Sequence, residues 1–195
     1  SAKASIIEDG RVAVTDQYEV GAALSAKNTL LRGGGYALKM PILDISEIGA
    51  GGGSIVALDE AGAIRIGPES AGAVPGPACY GLGGTNPTVT DANLVLGYLN
   101  PEELAGGALK IDRERALAAI ERTIAKPLEL SVQETAYGIH RVTNSHMIRA
   151  IKSVSVQRGR DPSKFALMAF GGSGGVHAVD MARSLNIPIV VVPPV

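Results

Sequence analysis

Apolar and polar positions alternate in short runs through the first third of the chain and take on a helical period only in the second half. Residues 4–8 and 12–15 are β-type runs, and the Asp9-Gly10 pair between them is a hairpin signal. Residues 41–45 and 54–58 read as strands around a glycine-rich turn at 49–53. Residues 63–66 follow Glu60-Ala61-Gly62 as a further hairpin partner. Gly33-Gly34-Gly35 reads as a flexible or closely approached loop. From Thr90 the period changes. Residues 90–96 predict a short helix capped by Thr90 or Asp91. Asp112 opens a second helix with Ala116, Leu117, Ile120 and Ile124 on one face, stopped by Pro127. Ser131-x-x-Glu134 is a capping box for the longest helix, residues 132–157, with Gly159 as its C-terminal cap. Ala136, Ile139, Val142, Met147, Ile151 and Val154 form its apolar face. Residues 165–170 (strand), 171–175 (tight turn), 176–185 (helix) and 189–192 (strand) make one β-α-β unit. Strands first, then helices, then this unit predict an α/β fold with a mixed sheet and flanking helices, as a single domain over 1–195.

Residues 67–93, GPESAGAVPGPACYGLGGTNPTVTDAN, break both periods. So much Gly and Pro in one run marks either a flexible linker or a tightly specified functional loop. Cys79, Tyr80, Val89 and Asp91 are not linker residues, which favours the second reading.

Composition narrows the function classes. Hydrophobic residues make up 46% of the 195, enough for a core, but aromatics only 4% with no Trp, so the core is aliphatic. A net charge of −1 removes the electrostatic argument for a nucleic-acid or membrane-surface partner. No apolar run reaches the roughly 18 residues of a membrane span. One cysteine excludes an internal disulfide and fits a reducing, cytoplasmic setting. The chain lacks an initiator Met and begins in strand-like sequence, so a piece of a longer protein is expected.

Several segments carry candidate chemistry. FGGSGGVHA follows a strand and opens a helix. The backbone of Gly171, Gly172, Ser173, Gly174 and Gly175 could hold an anion or nucleotide at that helix N-terminus, or the glycines could serve only close helix–strand packing. Neither GxGxxG nor GxxxxGK[ST] is present. DISEIGAGGGS offers a second glycine turn, Gly51, Gly52, Gly53 and Ser54, which could wrap a phosphate or carbonyl oxygen. The alternative is a plain β-turn beside solvated acids. Asp91 is a helix cap, as its spacing favours, or a general base or metal ligand. His177, in the first helical turn, would tend to be neutral and able to accept a proton, or is simply a half-buried polar residue. His140 and His146, six apart, do not share a helix face and read as ordinary helix residues. Cys79 reads as a packed structural thiol. Arg149, Lys152, Arg158 and Arg160 read as a solvated face.

Together DISEIGAGGGSIVALD, GPESAGAVPGPACYGLGGTNPTVTDANLVLGYL and FALMAFGGSGGVHAVDMARSLNI resemble the A-type subunit of the hydantoinase/oxoprolinase family. The resemblance covers nearly the whole chain, with departures at Val74, His146, Ser173 and Val176. It implies a lobe of the actin, sugar-kinase and heat-shock ATPase type, with FGGSGGVHA as the adenosine-side loop. The family's two Asp-x-Gly-Gly-Thr phosphate loops do not appear, so the chain would be a C-terminal piece of the A subunit that is inactive alone. The resemblance also implies ATP with Mg2+, and phosphorylation-assisted attack on a cyclic amide such as a hydantoin or 5-oxoproline. The alternatives are a ketone-carboxylase subunit and a nucleotide-binding docking module. Asp91 and His177 become the catalytic candidates, and a B-type subunit the expected partner; the metal is left unidentified.

Overall fold

A computed structural model describes residues 1–16, 18–20 and 36–194. Instead of one mixed sheet, the described residues form seven two-stranded pairings, six antiparallel and one parallel. The expected hairpin is present but short, Ile7–Glu8 against Arg11–Val12, with Asp9 at φ 50° and Gly10 at φ 74° in the turn. Ala2–Ala4 pairs with Ser46–Ile48, a strand the alternation did not reveal, and Val14–Thr15 pairs with Ile42–Leu43. The expected loop at 33–35 lies outside the described residues.

Ser54–Leu58 and Ile64–Ser70 form the longest antiparallel pair, with a register shift between Ile66 and Ser70. The second strand therefore runs into the Gly/Pro stretch, farther than its apolar pattern signalled. That stretch is built into the fold. Ala71 N–H donates to the Gly53 carbonyl (2.9 Å), Gly76 N–H to Ala71 (3.1 Å), and Arg122 Nη2 to the Thr85 carbonyl (2.8 Å). Its end bridges the sheet, where Ile55 opposes Thr88.

Four α-helices follow among the described residues. Helix α1, Val89–Val95, is capped by Thr88, so the capping residue stands before either predicted one. Helix α2, Arg113–Ile120, is capped by Asp112 and continues through a π-type turn, Glu121–Ala125. Helix α3, Val132–Val154, has the expected Ser131/Glu134 capping box and ends three residues early, where a 3-10 turn, Val156–Arg158, runs to Gly159. Helix α4, Gly174–Leu185, connects Ala166–Met168 to the parallel strand Ile189–Val191, which completes the β-α-β unit.

The main core lies where α1, α2 and α3 meet the Ser54–Leu58 sheet. Val56, Leu94, Ile120, Ile124 and Ile139 are all fully buried there. Burying a side chain of this size contributes about 1.5–3 kcal/mol. A smaller cluster, Ala182, Leu185 and Ile187, holds α4 to α3. Two of the four basic residues read as a solvated face are paired with the N-terminal segment. Arg158 Nη2 meets Asp44 Oδ1 at 2.9 Å and Arg160 Nε meets Glu8 Oε2 at 2.6 Å.

Candidate functional site

Two glycine loops 120 residues apart in sequence meet in space. The first, at 49–54, is shaped from within. Ser54 Oγ accepts from Gly51 N–H (3.0 Å) and donates to the Gly49 carbonyl (3.3 Å), so this hydroxyl is spent on the turn. Gly52 carbonyl accepts from Thr90 N–H at 2.8 Å, which sets the loop on the first turn of α1. Gly53 carbonyl accepts from Ala71 N–H and Ser70 Oγ. A Cβ on Gly52 would stand 2.7 Å from Ser173 Oγ and 3.0 Å from Thr90 Oγ1. A side chain at position 52 would therefore have to displace the Ser173 hydroxyl, which lies against the Gly52 backbone from the second loop.

The second loop, 171–175, leads into α4. Ser173 occupies the N-cap position but makes no side-chain cap hydrogen bond. A Cβ on Gly171 or Gly172 would meet nothing within 4 Å, so this backbone is open to an approaching group, whereas Gly174 and Gly175 pack on Ala169 and Val192. The close-packing reading holds for Gly174 and Gly175, while Gly171 and Gly172 leave their backbone open. Open backbone before a twelve-residue helix that lacks a side-chain cap suits an anion.

Beneath the loops lies a polar cluster that sequence reasoning missed in part. His177 is fully buried, not half-buried, and so is His140, which is no ordinary helix residue. The two rings stack at 4.7 Å, inclined by 16°. His140 Nδ1 lies 3.1 Å from Asn93 Oδ1, and His140 Nε2 3.1 Å from Asp180 Oδ2. Asn93 Nδ2 lies 3.2 Å from His177 Nε2, and His177 Nδ1 is 2.6 Å from Asn144 Oδ1. Asn144 Nδ2 makes a long 3.5 Å contact to Asp180 Oδ2. Burial, and then the neighbouring His140, hold the His177 imidazole down at about 4, against an opposing pull from Asp180. His177 is therefore neutral, as its place in the first turn of α4 suggested. The i,i+4 spacing of His140 and Asn144 and the i,i+3 spacing of His177 and Asp180 were the available signals for one shared face.

Asp91 sits apart from these groups. It is fully buried and closes the capping box of α1. Its carboxylate accepts from Cys79 N–H (2.8 Å), Thr88 N–H (2.8 Å), Thr88 Oγ1 (2.8 Å) and Ala78 N–H (3.3 Å). It thus ties residues 78–79 to the start of the helix. Cys79 is buried, and burial followed by the Asp91 charge pushes its thiol well above the usual range, which suits a packed thiol. Among the described residues no group of three His, Cys, Asp or Glu could hold a metal ion, and no helix is long and apolar enough to cross a membrane.

The hydantoinase/oxoprolinase family model matches residues 1–195. The chain belongs to that family. Curated relatives agree. The alpha subunit of caprolactamase from Pseudomonas jessenii is 46% identical over 160 residues, 82% of this chain and 23% of that protein. The 5-oxoprolinase of Saccharomyces cerevisiae is 38% identical over 173 residues, 81% of this chain and 13% of that protein. The crystal structure of the ATP-dependent caprolactamase of P. jessenii superposes with a TM-score of 0.76 over 81% of this chain and 23% of its own, at 46% identity. Nucleotide-free acetone carboxylase gives 0.73 over 80% of this chain and 22% of its own, at 37% identity. The chain spans about a quarter or less of the length of these relatives.

Proposed function

We propose that the chain is the nucleotide-facing part of an enzyme that opens a cyclic amide at the expense of ATP. The convergence of Gly52 on Ser173 carries this reading, because it brings two separate glycine loops into contact. The open amides of Gly171 and Gly172 and the first turn of α4 would face the nucleotide, and Gly51–Gly53 the reacting end. These residues fit an anionic group with its Mg2+ held largely by phosphate oxygens. When bound, ATP supplies a phosphoryl group to the substrate oxygen and so makes it a leaving group.

The chain's own residues do quieter work. His177, held neutral, and its polar neighbours fix the direction of α4 and hence the Gly171–Gly175 loop. Asp91 acts as a positioning residue: it shapes residues 78–88, which stand as a substrate-side or interface loop. The rest of a two-lobed ATPase and a B-type partner subunit would complete the site, in a cytoplasmic enzyme. Names among the relatives support both the substrate and the partner. One is a caprolactamase alpha subunit, and others are 5-oxoprolinases. The acetone carboxylase beta subunit of Xanthobacter autotrophicus, 38% identical over 157 residues, keeps ketone carboxylation as the second reading.

The test is ATP turnover by the full-length protein with its partner subunit. Hydantoin, 5-oxoproline or a lactam should stimulate phosphate release at least tenfold. Stimulation only by a ketone with bicarbonate would favour the second reading. Turnover indifferent to all of them would reject both.

A further inference from the structure

Under the two glycine loops, five side chains close a ring of hydrogen bonds in the order Asp180, His140, Asn93, His177, Asn144 and back to Asp180. Helix α1 contributes Asn93, α3 contributes His140 and Asn144, and α4 contributes His177 and Asp180. Each of the five contacts needs one hydrogen. An asparagine amide gives the ring one donor and one acceptor whichever way it is turned, so the two amides supply two hydrogens. Ionised Asp180 supplies none and accepts twice. The remaining three must come from two imidazoles, so one of these carries both N–H groups.

We infer that the ring holds one acid proton, carried as an imidazolium on His140 against Asp180, and that His140 is thereby a positioning residue that fixes His177 as the neutral Nδ1–H tautomer. Position decides between the two rings. His140 Nε2 touches the carboxylate, whereas His177 touches only neutral amides. Moving the charge to His177 requires Asn93 to turn over and leaves a fully buried cation without a counter-charge. Turning both amides over would aim the Asn144 carbonyl at the Asp180 carboxylate.

Fewer or more protons would strain the ring. Removing the proton leaves one contact with two acceptors face to face. Adding a second stacks two imidazoliums 4.7 Å apart. Other groups facing the pair are Tyr98, edge-on to His140 at 5.1 Å, and Arg183, 3.8 Å from Asp180 Oδ1; from α1 the pair meets the Asn93 amide. The ring matters to the proposed site because α1 begins at the Gly52 contact and α4 begins at the Gly171–Gly175 loop. The inference rests on that reading only for its functional meaning, and its test does not use turnover.

The experiment is imidazole nitrogen NMR on full-length protein labelled with 15N-histidine at pH 7.5, with signals assigned through H140Q and H177Q. Two protonated nitrogens on His140 and one, Nδ1, on His177 are expected. Both ring contacts of Asp180 fall on Oδ2, so Asp180→Asn can keep an acceptor oxygen there but removes the counter-charge of the imidazolium. That variant should stay folded and lose the doubly protonated signature, and Asp180→Glu should restore it. A neutral His140 in the parent protein, an Nε2–H tautomer on His177, or an unchanged imidazolium in Asp180→Asn would overturn the inference. Absence of ATP turnover in the parent protein, with these signals intact, would count against the site reading alone.

Discussion

Replacing Asp91 with alanine removes the common acceptor of three backbone N–H groups and one hydroxyl, all inside the protein. Ala78, Cys79 and Thr88 are each at most 3% exposed, so water cannot take over these contacts without opening the loop. An unsatisfied buried donor costs about 1–3 kcal/mol. Three of them would cost about 3–9 kcal/mol, comparable to the whole stability of a small domain. The loss should appear first as local opening of residues 77–93. Hydrogen exchange on full-length protein, followed peptide by peptide, should show protection there falling by about a hundredfold or more, since 1.4 kcal/mol is a factor of ten. Asp91→Asn keeps one acceptor oxygen and should fall in between. If Asp91→Ala kept full protection at 77–93 while turnover dropped tenfold, the carboxylate would be a chemical participant and the positioning argument would be wrong.

Three further outcomes follow from the same geometry. His177 is depressed from 6.5 to about 4, so the folded state resists the proton that the unfolded chain accepts. Stability from this group is complete above pH 6.5 and declines as pH falls toward 4, by up to about 3 kcal/mol. Urea unfolding of His177→Gln should show a flatter slope in that window, and identical slopes would refute the assignment. Gly52→Ala should raise the KM for ATP several-fold at near-normal stability by displacing Ser173, and Ser173→Ala in the same chain should restore it; no rescue would place the clash elsewhere. Cys79 should resist iodoacetamide in the native protein and react in Asp91→Ala, as read from the mass of its peptide; rapid native labelling would contradict its packing.

Local rules carried much of the fold. The Asp9-Gly10 turn, the Asp112 cap, the Ser131/Glu134 box and the terminal β-α-β unit all depend on residues within a few positions of one another. Strand pairing did not follow in the same way. Ser46–Ile48 lacks a clear alternation because its burial is intermediate throughout, and the Ile64–Ser70 strand continues past its apolar residues. The structure brings Gly52 and Ser173 together, which no spacing revealed, and Asp91 closes the capping box of α1, as its spacing favoured. His140 was passed over because its partners stand 47 and 40 residues away. Spacing along one helix cannot reveal a ring assembled from three.

The central claim is that the 49–54 and 171–175 loops form a single nucleotide-facing surface. Calorimetric titration of ATP into the full-length protein and its Gly52→Val variant tests it most directly. A branched side chain there cannot be accommodated by turning Ser173 alone, so affinity should fall at least tenfold while hydrogen-exchange protection of α3 and α4 stays at parent level. Unchanged ATP affinity in a folded Gly52→Val protein would contradict the claim.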